Sequence, residues 1–97
     1  MPRAVRQAKN REHFRVANEE IAKLADRFST ASQGFICECS QIGCAEQIDV
    51  PLAVYHQVRE TPSAYLVRAG HEDPTAEETI LGHRSYLIVV PRLQARR

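Results

Sequence analysis

Three cysteines lie within eight positions of this chain, inside the segment FICECSQIGC at residues 35–44. Cys37, Cys39 and Cys44 form the pattern C-x-C-x4-C. Thiolates are preferred zinc ligands, and a structural zinc site takes four tetrahedral donors. Gly43 suits such a loop, because a chain that curls around an ion needs a residue free to adopt positive φ. The pattern therefore predicts three ligands of a metal site, in a knuckle between two strands.

The alternative uses of the cysteines are less favoured. The chain has no apolar run of membrane-spanning length, and the start MPRAVRQAKNREHF lacks the apolar stretch of a secretory signal. We therefore expect a cytoplasmic protein, in which thiols stay reduced and an odd cysteine count argues against a disulfide framework. Burial as small apolar side chains, iron–sulfur or redox chemistry and a nucleophilic cysteine stay open as alternatives.

The fourth ligand is sought among four histidines, His13, His56, His71 and His83. His71 is favoured, because it follows a predicted strand and Gly70, where a short excursion of the chain would bring it beside the cysteines. Glu72 and Asp73 are adjacent and are candidate acceptors for its other ring nitrogen. An acidic side chain or a water molecule is the alternative donor.

The N-terminal segment is predicted to be a helix over residues 3 to about 30, since it contains no Gly or Pro after Pro2. Its apolar residues are spaced 3, 4, 3 and 4 apart and form one stripe: Phe14, Ala17, Ile21, Leu24 and Phe28. The stripe spans about two heptads, fewer than a coiled coil needs. This favours docking of the helix on the protein's own body, with self-association or a protein partner through the same residues as the alternative.

Charge is uneven along the chain. The net charge is +1, divided into +3 over residues 1–30 and -2 over the rest. The alternative hypothesis of a nucleic-acid interface rests on the basic residues of the helix, Arg3, Arg6, Lys9, Arg11 and Arg15. The near-zero total charge argues against it, and so does the fact that aromatic residues do not interleave with the basic ones along the helix.

The remaining segments predict short strands and one short helix. Strands are expected at residues 35–36, 47–50 and 64–68, and a hairpin at 79–81 and 86–90. The segment PLAVYHQVRE is expected to be a helix with Pro51 at its first position and Leu52, Tyr55 and Val58 on one face. Asp73 is expected to cap a brief turn that follows it.

The predicted fold is α+β: a long N-terminal amphipathic helix packed on a small, mostly antiparallel β-sheet, with a zinc knuckle and one short helix. We divide the chain into a basic amphipathic helix at residues 1–33, a small zinc-bound body at 34–92 and a frayed tail at 93–97.

Several of these residues together resemble a known family. The pattern consists of Phe35-x-Cys37-Glu38-Cys39, Cys44, Tyr55-x-x-Val58-Arg59, Pro62, Tyr65, Val67 and Gly70-His71. It is similar to that of a family of small, largely uncharacterised proteins of high-GC Gram-positive bacteria, over roughly residues 12–90. The resemblance implies a zinc site of Cys37, Cys39, Cys44 and His71, and it implies no known activity.

This chain departs from the family pattern at two places. Members often have Gly and an acid after the second cysteine, where this chain has Ser40-Gln41, and Phe is more usual than Tyr65. Neither departure affects a proposed ligand, although the shape of the loop or a partner surface would differ.

These observations favour a small cytoplasmic module with a structural Zn²⁺ site that acts through protein–protein interaction, including a regulatory role. The alternatives are a nucleic-acid-binding transcriptional accessory and a zinc or thiol redox sensor. A metalloenzyme would need an open coordination position. Glu38, between two predicted ligands, is interpreted as a solvated carboxylate at the rim of the site.

Overall fold

The computed structural model describes residues 3–28 and 31–92, with side chains from Val5 onward. In chain order its elements are α1 (Arg3–Arg27), β1 (Ser32–Ile36), β2 (Gln47–Pro51), α2 (Leu52–Glu60), β3 (Tyr65–Arg68), β4 (Glu77–Gly82) and β5 (Tyr86–Pro91). The predicted α+β class is confirmed. The tail that we expected to be frayed, residues 93–97, lies outside the described residues.

The strands form two antiparallel sheets instead of the single sheet that we expected. One sheet pairs β1 with β2, and the other has the order β3-β5-β4. The segment after β1 connects the sheets, because the backbone N–H of Glu38 donates to the carbonyl of Leu66 in β3, at 2.8 Å. The cysteine loop, residues 37–44, therefore lies where the two sheets meet.

The core is built around α2 and the two-stranded sheet. Leu52, Tyr55 and Val58 are buried along one face of α2, as the sequence predicts. The Tyr55 ring stacks on that of Phe35 from β1, with their centroids 4.3 Å apart. Pro51 differs from the prediction: it ends β2 in an extended conformation with ψ 137° and occupies the N-cap, one position before the helix.

Helix α1 docks on the body with a different face from the predicted one. Its buried residues are Asn18, Ala22 and Ala25, which we call the docking face. At 3.6 residues per turn this face is about a quarter of a turn away from the apolar stripe. Leu24 and Phe28 of the stripe are 53% and 75% exposed. The prediction that the stripe packs on the body is therefore wrong for its C-terminal half.

Small and polar side chains on the docking face explain this rotation. Ala22 and Ala25 let α1 come close to β1, which larger apolar side chains would prevent. The Asn18 amide pairs with the outer edge of β1, where its Oδ1 accepts from the Ile36 N–H and its Nδ2 donates to the Ile36 carbonyl, both at 2.8 Å. Unpaired backbone groups at a buried strand edge are costly, so this pairing fixes how the helix sits.

Candidate metal centre

The structure brings Cys37, Cys39, Cys44 and His71 together, and one ligand atom from each lies within 4.8 Å of every other. His71 Nδ1 is 3.6 Å from Cys37 Sγ and 3.5 Å from Cys44 Sγ. Cys37 and Cys39 are buried, whereas Cys44 and His71 are half-buried. These four residues can hold a metal ion.

The two separations between sulfur and nitrogen match those expected around one tetrahedral ion, and the other ligand atoms lie within 4.8 Å of one another. Zinc bonds of about 2.3 Å to sulfur and 2.0 Å to nitrogen, at tetrahedral angles, separate the sulfur and nitrogen atoms by about 3.5 Å. The two measured Sγ to Nδ1 separations have this value within 0.1 Å. The three sulfurs and the imidazole also form a donor set typical of zinc. The residues present therefore fit a closed four-coordinate site.

Local backbone geometry shapes the cysteine loop. The backbone N–H of Cys37 donates to the Glu46 carbonyl at 2.8 Å, which extends the β1–β2 ladder to the base of the loop. A turn closed by Cys44 N–H and the Gln41 carbonyl, at 3.2 Å, then reverses the chain. Gly43 has φ +92°, as predicted from its place in the pattern. An L side chain rarely adopts this conformation.

His71 is positioned by a second turn. Its backbone N–H donates to the Arg68 carbonyl at 2.9 Å, directly after β3. Gly70 has φ +95°, which allows the chain to turn back toward the cysteines. The glycine before the histidine was therefore an informative part of the sequence pattern, because it permits the excursion that brings the imidazole to the sulfurs.

Backbone N–H groups point at all three sulfurs. Arg68 N–H donates to Cys37 Sγ at 3.2 Å. The backbone N–H two positions after each cysteine lowers the pKa of that thiol: Cys39 acts on Cys37, Gln41 on Cys39 and Glu46 on Cys44. Such hydrogen bonds stabilise the ionised form of a thiol, which is the form that binds metal.

Contacts among the thiols separate their pKa values. The Cys37 thiol donates a hydrogen bond to Cys39, and this lowers the pKa of Cys39 to about 5. The same contact, together with burial, raises the pKa of Cys37 above its ordinary value. Burial also raises the pKa of Cys44. The cluster thus favours one thiolate and two thiols, and a cation is needed before all three ionise.

The other three histidines lie in different surroundings. His56 Nε2 is 3.1 Å from Asp26 Oδ1 on α1. His83 stacks on the ring of Tyr86 at 4.4 Å, and His13 lies 5.6 Å from the ring of Phe14. The cluster of candidate donors contains His71 and none of these three. His71 is therefore the histidine that the fold places beside the cysteines.

The acids after His71 serve the backbone instead of the imidazole. Glu72 Oε1 accepts from the Gly70 N–H at 2.9 Å. Asp73 Oδ1 accepts from the Thr75 N–H at 3.2 Å and from the Thr75 hydroxyl at 2.7 Å. The expected capping role of Asp73 is therefore found, and these contacts lower its pKa. In the described part of the chain, no hydrogen bond is found between these acids and the second ring nitrogen of His71.

Glu38 is buried, with 0% exposure, so its interpretation as a solvated rim carboxylate is wrong. Its Oε1 accepts from the Leu66 N–H at 2.9 Å and from Arg59 at 3.1 Å. Its Oε2 accepts from Asn18 Nδ2 at 2.6 Å. Burial raises the pKa of Glu38, while these donors oppose the shift. Each neighbouring group is a donor, and this is the environment that suits a carboxylate.

Two residues of the predicted basic surface are engaged within the fold. Arg11 forms a salt bridge with the buried Glu77, donates its Nε to the Glu38 carbonyl at 2.8 Å and covers the Tyr65 ring at 4.0 Å. Arg15 pairs with Glu12 at 2.9 Å. Sequence reasoning missed the structural role of Arg11, because a charged residue on a helix is usually solvated.

The three other basic residues of the predicted nucleic-acid surface are Arg3, Arg6 and Lys9. Arg6 and Lys9 are exposed, and the side chain of Arg3 lies outside the described part of the chain. The basic surface available to a nucleic acid is therefore smaller than the sequence suggests, and this weakens the prediction of a nucleic-acid interface.

A shallow cavity opens beside the metal centre. It is lined by the outer part of the cysteine loop, Gln41 to Glu46, and by His71. Cys44 and His71 thus form the side of the centre that faces solvent, while Cys37 and Cys39 form the side that faces the core.

Over the described residues, neither helix combines the length and the apolar composition needed to cross a membrane. Comparison of the chain with protein-family models, with curated proteins and with solved structures found no match. What can be said about function therefore depends on the chemistry of the site.

Proposed function

We propose that this protein is a small zinc-binding module, in which Cys37, Cys39, Cys44 and His71 hold one Zn²⁺ as a closed structural centre, and that it acts through contacts with other proteins. The observation that carries the proposal is the Cys3His cluster, whose Sγ to Nδ1 separations of 3.5 and 3.6 Å fit the edges of a zinc tetrahedron.

Zinc is favoured by the type and number of donors. Three thiolates and one imidazole are soft to borderline ligands, and calcium or magnesium would require oxygen ligands instead. Four protein donors leave no position for water, which is the arrangement of structural sites. We therefore assign the ion to stability and not to catalysis.

A metal at this position would join parts of the fold that are far apart in sequence. It would tie the loop between β1 and β2 to the end of β3, and thus one sheet to the other. A chain of 97 residues buries a smaller fraction of its surface than a larger domain does. The binding energy of the ion would add to the stability of the folded state.

Contact with other proteins is supported by the exposed half of the apolar stripe. Ile21, Leu24 and Phe28 line an apolar groove together with Ala25 and Gln33. Aromatic and aliphatic side chains in such a groove are typical of protein recognition. We also propose membership of the zinc-site family of high-GC Gram-positive bacteria described above, on the strength of the same cysteine and Gly-His pattern.

The test is native mass spectrometry with metal analysis of the wild-type protein and the variant His71→Ala. We expect one zinc per wild-type chain and a strongly reduced zinc content in the variant. His83→Ala is the matched control and should keep one zinc. Equal zinc content in all three proteins would show that a residue other than His71 completes the site, and a wild-type protein without zinc would refute the proposal.

A second candidate is a sensor that releases its zinc. The observation in its favour is the half-buried pair Cys44 and His71 beside an open cavity, where a competing ligand can approach the ion. Transfer of zinc to a chelating dye within minutes, at a rate that rises with dye concentration, would support this role. Retention of zinc for days against the same dye would exclude it.

A further inference from the structure

Glu38 lies between two candidate ligands and faces away from them. In an extended segment successive side chains point to opposite sides. Because Cys37 and Cys39 direct their sulfurs to the metal centre, the Glu38 side chain projects to the other side, into the buried space between α1, α2 and β3. Its 0% exposure is consistent with this direction.

The contacts of Glu38 join four parts of the molecule. Its backbone N–H and its Oε1 pair with the backbone of Leu66 in β3, at 2.8 and 2.9 Å. Its Oε1 also accepts from Arg59 of α2 at 3.1 Å. Asn18 and Arg11 of α1 donate to its side chain at 2.6 Å and to its carbonyl at 2.8 Å. The conformation of Glu38 is thus restricted both by the candidate metal ligands that flank it in the sequence and by its hydrogen bonds to α1.

Helix α1 depends on these polar contacts more than an ordinary amphipathic helix does. The two apolar residues of its docking face are alanines, which bury little apolar area; in the apolar stripe Ile21 is half-buried against the core, while Leu24 and Phe28 remain exposed. Four of its hydrogen bonds end on Ile36 or Glu38, within two residues of Cys37. Burial of small side chains contributes little free energy, so the geometry of residues 36–38 has a large influence on whether α1 stays docked.

We propose that Glu38 is a positioning residue that couples binding of Zn²⁺ at the metal centre to docking of helix α1. This inference rests on the proposed function. With zinc bound, the two cysteines hold Glu38 in the orientation that accepts from Asn18. Without zinc the loop relaxes, Glu38 loses this orientation, and α1 separates from the body and exposes its docking face.

By thermodynamic linkage the coupling works in both directions. If zinc strengthens docking of α1 by some factor, docking of α1 strengthens zinc binding by the same factor. A change on α1 that weakens its docking without touching a ligand must therefore lower the affinity for zinc, and this distinguishes coupling from a merely local role of Glu38 in the loop.

Hydrogen–deuterium exchange tests the first direction. We expect removal of zinc by a chelator to speed exchange of the α1 amides by at least about tenfold, while the amides of β5 keep their protection. In zinc-loaded Glu38→Gln we expect α1 to exchange nearly as fast as in the zinc-free wild type, with one zinc still bound. Glu60→Gln, which changes an exposed carboxylate at the end of α2, should behave as the wild type.

The same experiment contains the results that would overturn the inference. Unchanged α1 exchange after zinc removal would refute the coupling, and so would an equal loss of protection in every element. Both results are distinct from failure of the proposed function, in which the wild-type protein would contain no zinc at all.

Zinc affinity of α1 variants tests the second direction and does not require Glu38 to be changed. Asn18→Ala removes the donor to Glu38 and should weaken zinc binding about tenfold. Leu24→Ala removes an exposed side chain of the same helix and should change the affinity by less than about twofold. Faster α1 exchange in Asn18→Ala with an unchanged zinc affinity would refute the coupling.

Discussion

His71 Nδ1 lies 3.5 Å from Cys44 Sγ, although β2, α2 and β3 separate the two residues along the chain. Nδ1 therefore faces the sulfurs, and we expect the imidazole to bind the ion through this atom with its proton on Nε2. The half-buried position of both residues places this contact at the solvent side of the centre.

Zinc binding should release two protons at about pH 8. Cys39, with its pKa near 5, is already ionised there, whereas the raised pKa values of Cys37 and Cys44 keep both as thiols. The affinity for zinc should accordingly fall as the pH falls, by about 100-fold per pH unit around pH 8. Calorimetry in two buffers with different ionisation enthalpies measures the proton count. Release of three protons would show that Cys39 is still protonated before zinc binds, and would contradict its lowered pKa.

Asn18→Asp should destabilise the protein more than Asn18→Ala, although Asp is closer in shape to Asn. The new carboxylate would lie against Glu38 Oε2 and the Ile36 carbonyl, the two acceptors of the Asn18 amide. We expect a loss of about 2 kcal/mol for Asn18→Ala and at least about 3 kcal/mol for Asn18→Asp in the free energy of unfolding. Urea denaturation of the zinc-loaded proteins measures both, and the reverse order would contradict the assigned orientation of the amide.

Arg11→Ala should reduce stability by about 3 kcal/mol, because it leaves the carboxylate of Glu77 buried without its partner. The matched control is Lys9→Ala, which removes an exposed cation from the same helix and should change stability by less than about 0.5 kcal/mol. Thermal denaturation compares the two. Equal, small effects would show that Arg11 is a solvated surface residue and not a partner of Glu77.

Alanine at Gly43 or Gly70 should destabilise the protein by about 1 kcal/mol at each site. Both glycines have positive φ, and open space surrounds the position of an added Cβ, so the expected effect comes from the backbone alone. Gly82→Ala is the control, because its Cβ would make an ordinary contact with Leu87 at 3.7 Å. Gly70→Ala should also weaken zinc binding, since it disturbs the turn that orients His71.

Local patterns predicted the parts of the site that depend on local geometry. The spacing of the three cysteines and the Gly-His pair after a strand indicated which side chains meet, and the structure places those four together. The buried face of α2 followed from its helical spacing in the same way. In each case the signal comes from residues that are close together in the sequence and restrict the local backbone conformation.

The docking face of α1 could not be predicted in this way. Periodicity favoured Leu24 and Phe28, whereas the helix docks through Asn18 and two alanines. Asn18 is buried there because its amide forms hydrogen bonds with the backbone of Ile36 and with the carboxylate of Glu38. Both residues lie far from Asn18 in the sequence. Helical periodicity cannot reveal such a buried polar pair, because the two residues come together only in the folded structure.

The Arg11–Glu77 salt bridge has a consequence for the order in which this chain folds. It joins the first helix to β4, which lies at the edge of the order β3-β5-β4 and pairs with β5 in the described part of the chain. Helix α1 can become helical early, because its own hydrogen bonds are local. Its final docking must wait until the hairpin near the far end of the described chain has formed, since Glu77 has no fixed position before then. Contacts with such large sequence separation slow folding, so we expect slow formation of the native state after rapid formation of its first helix.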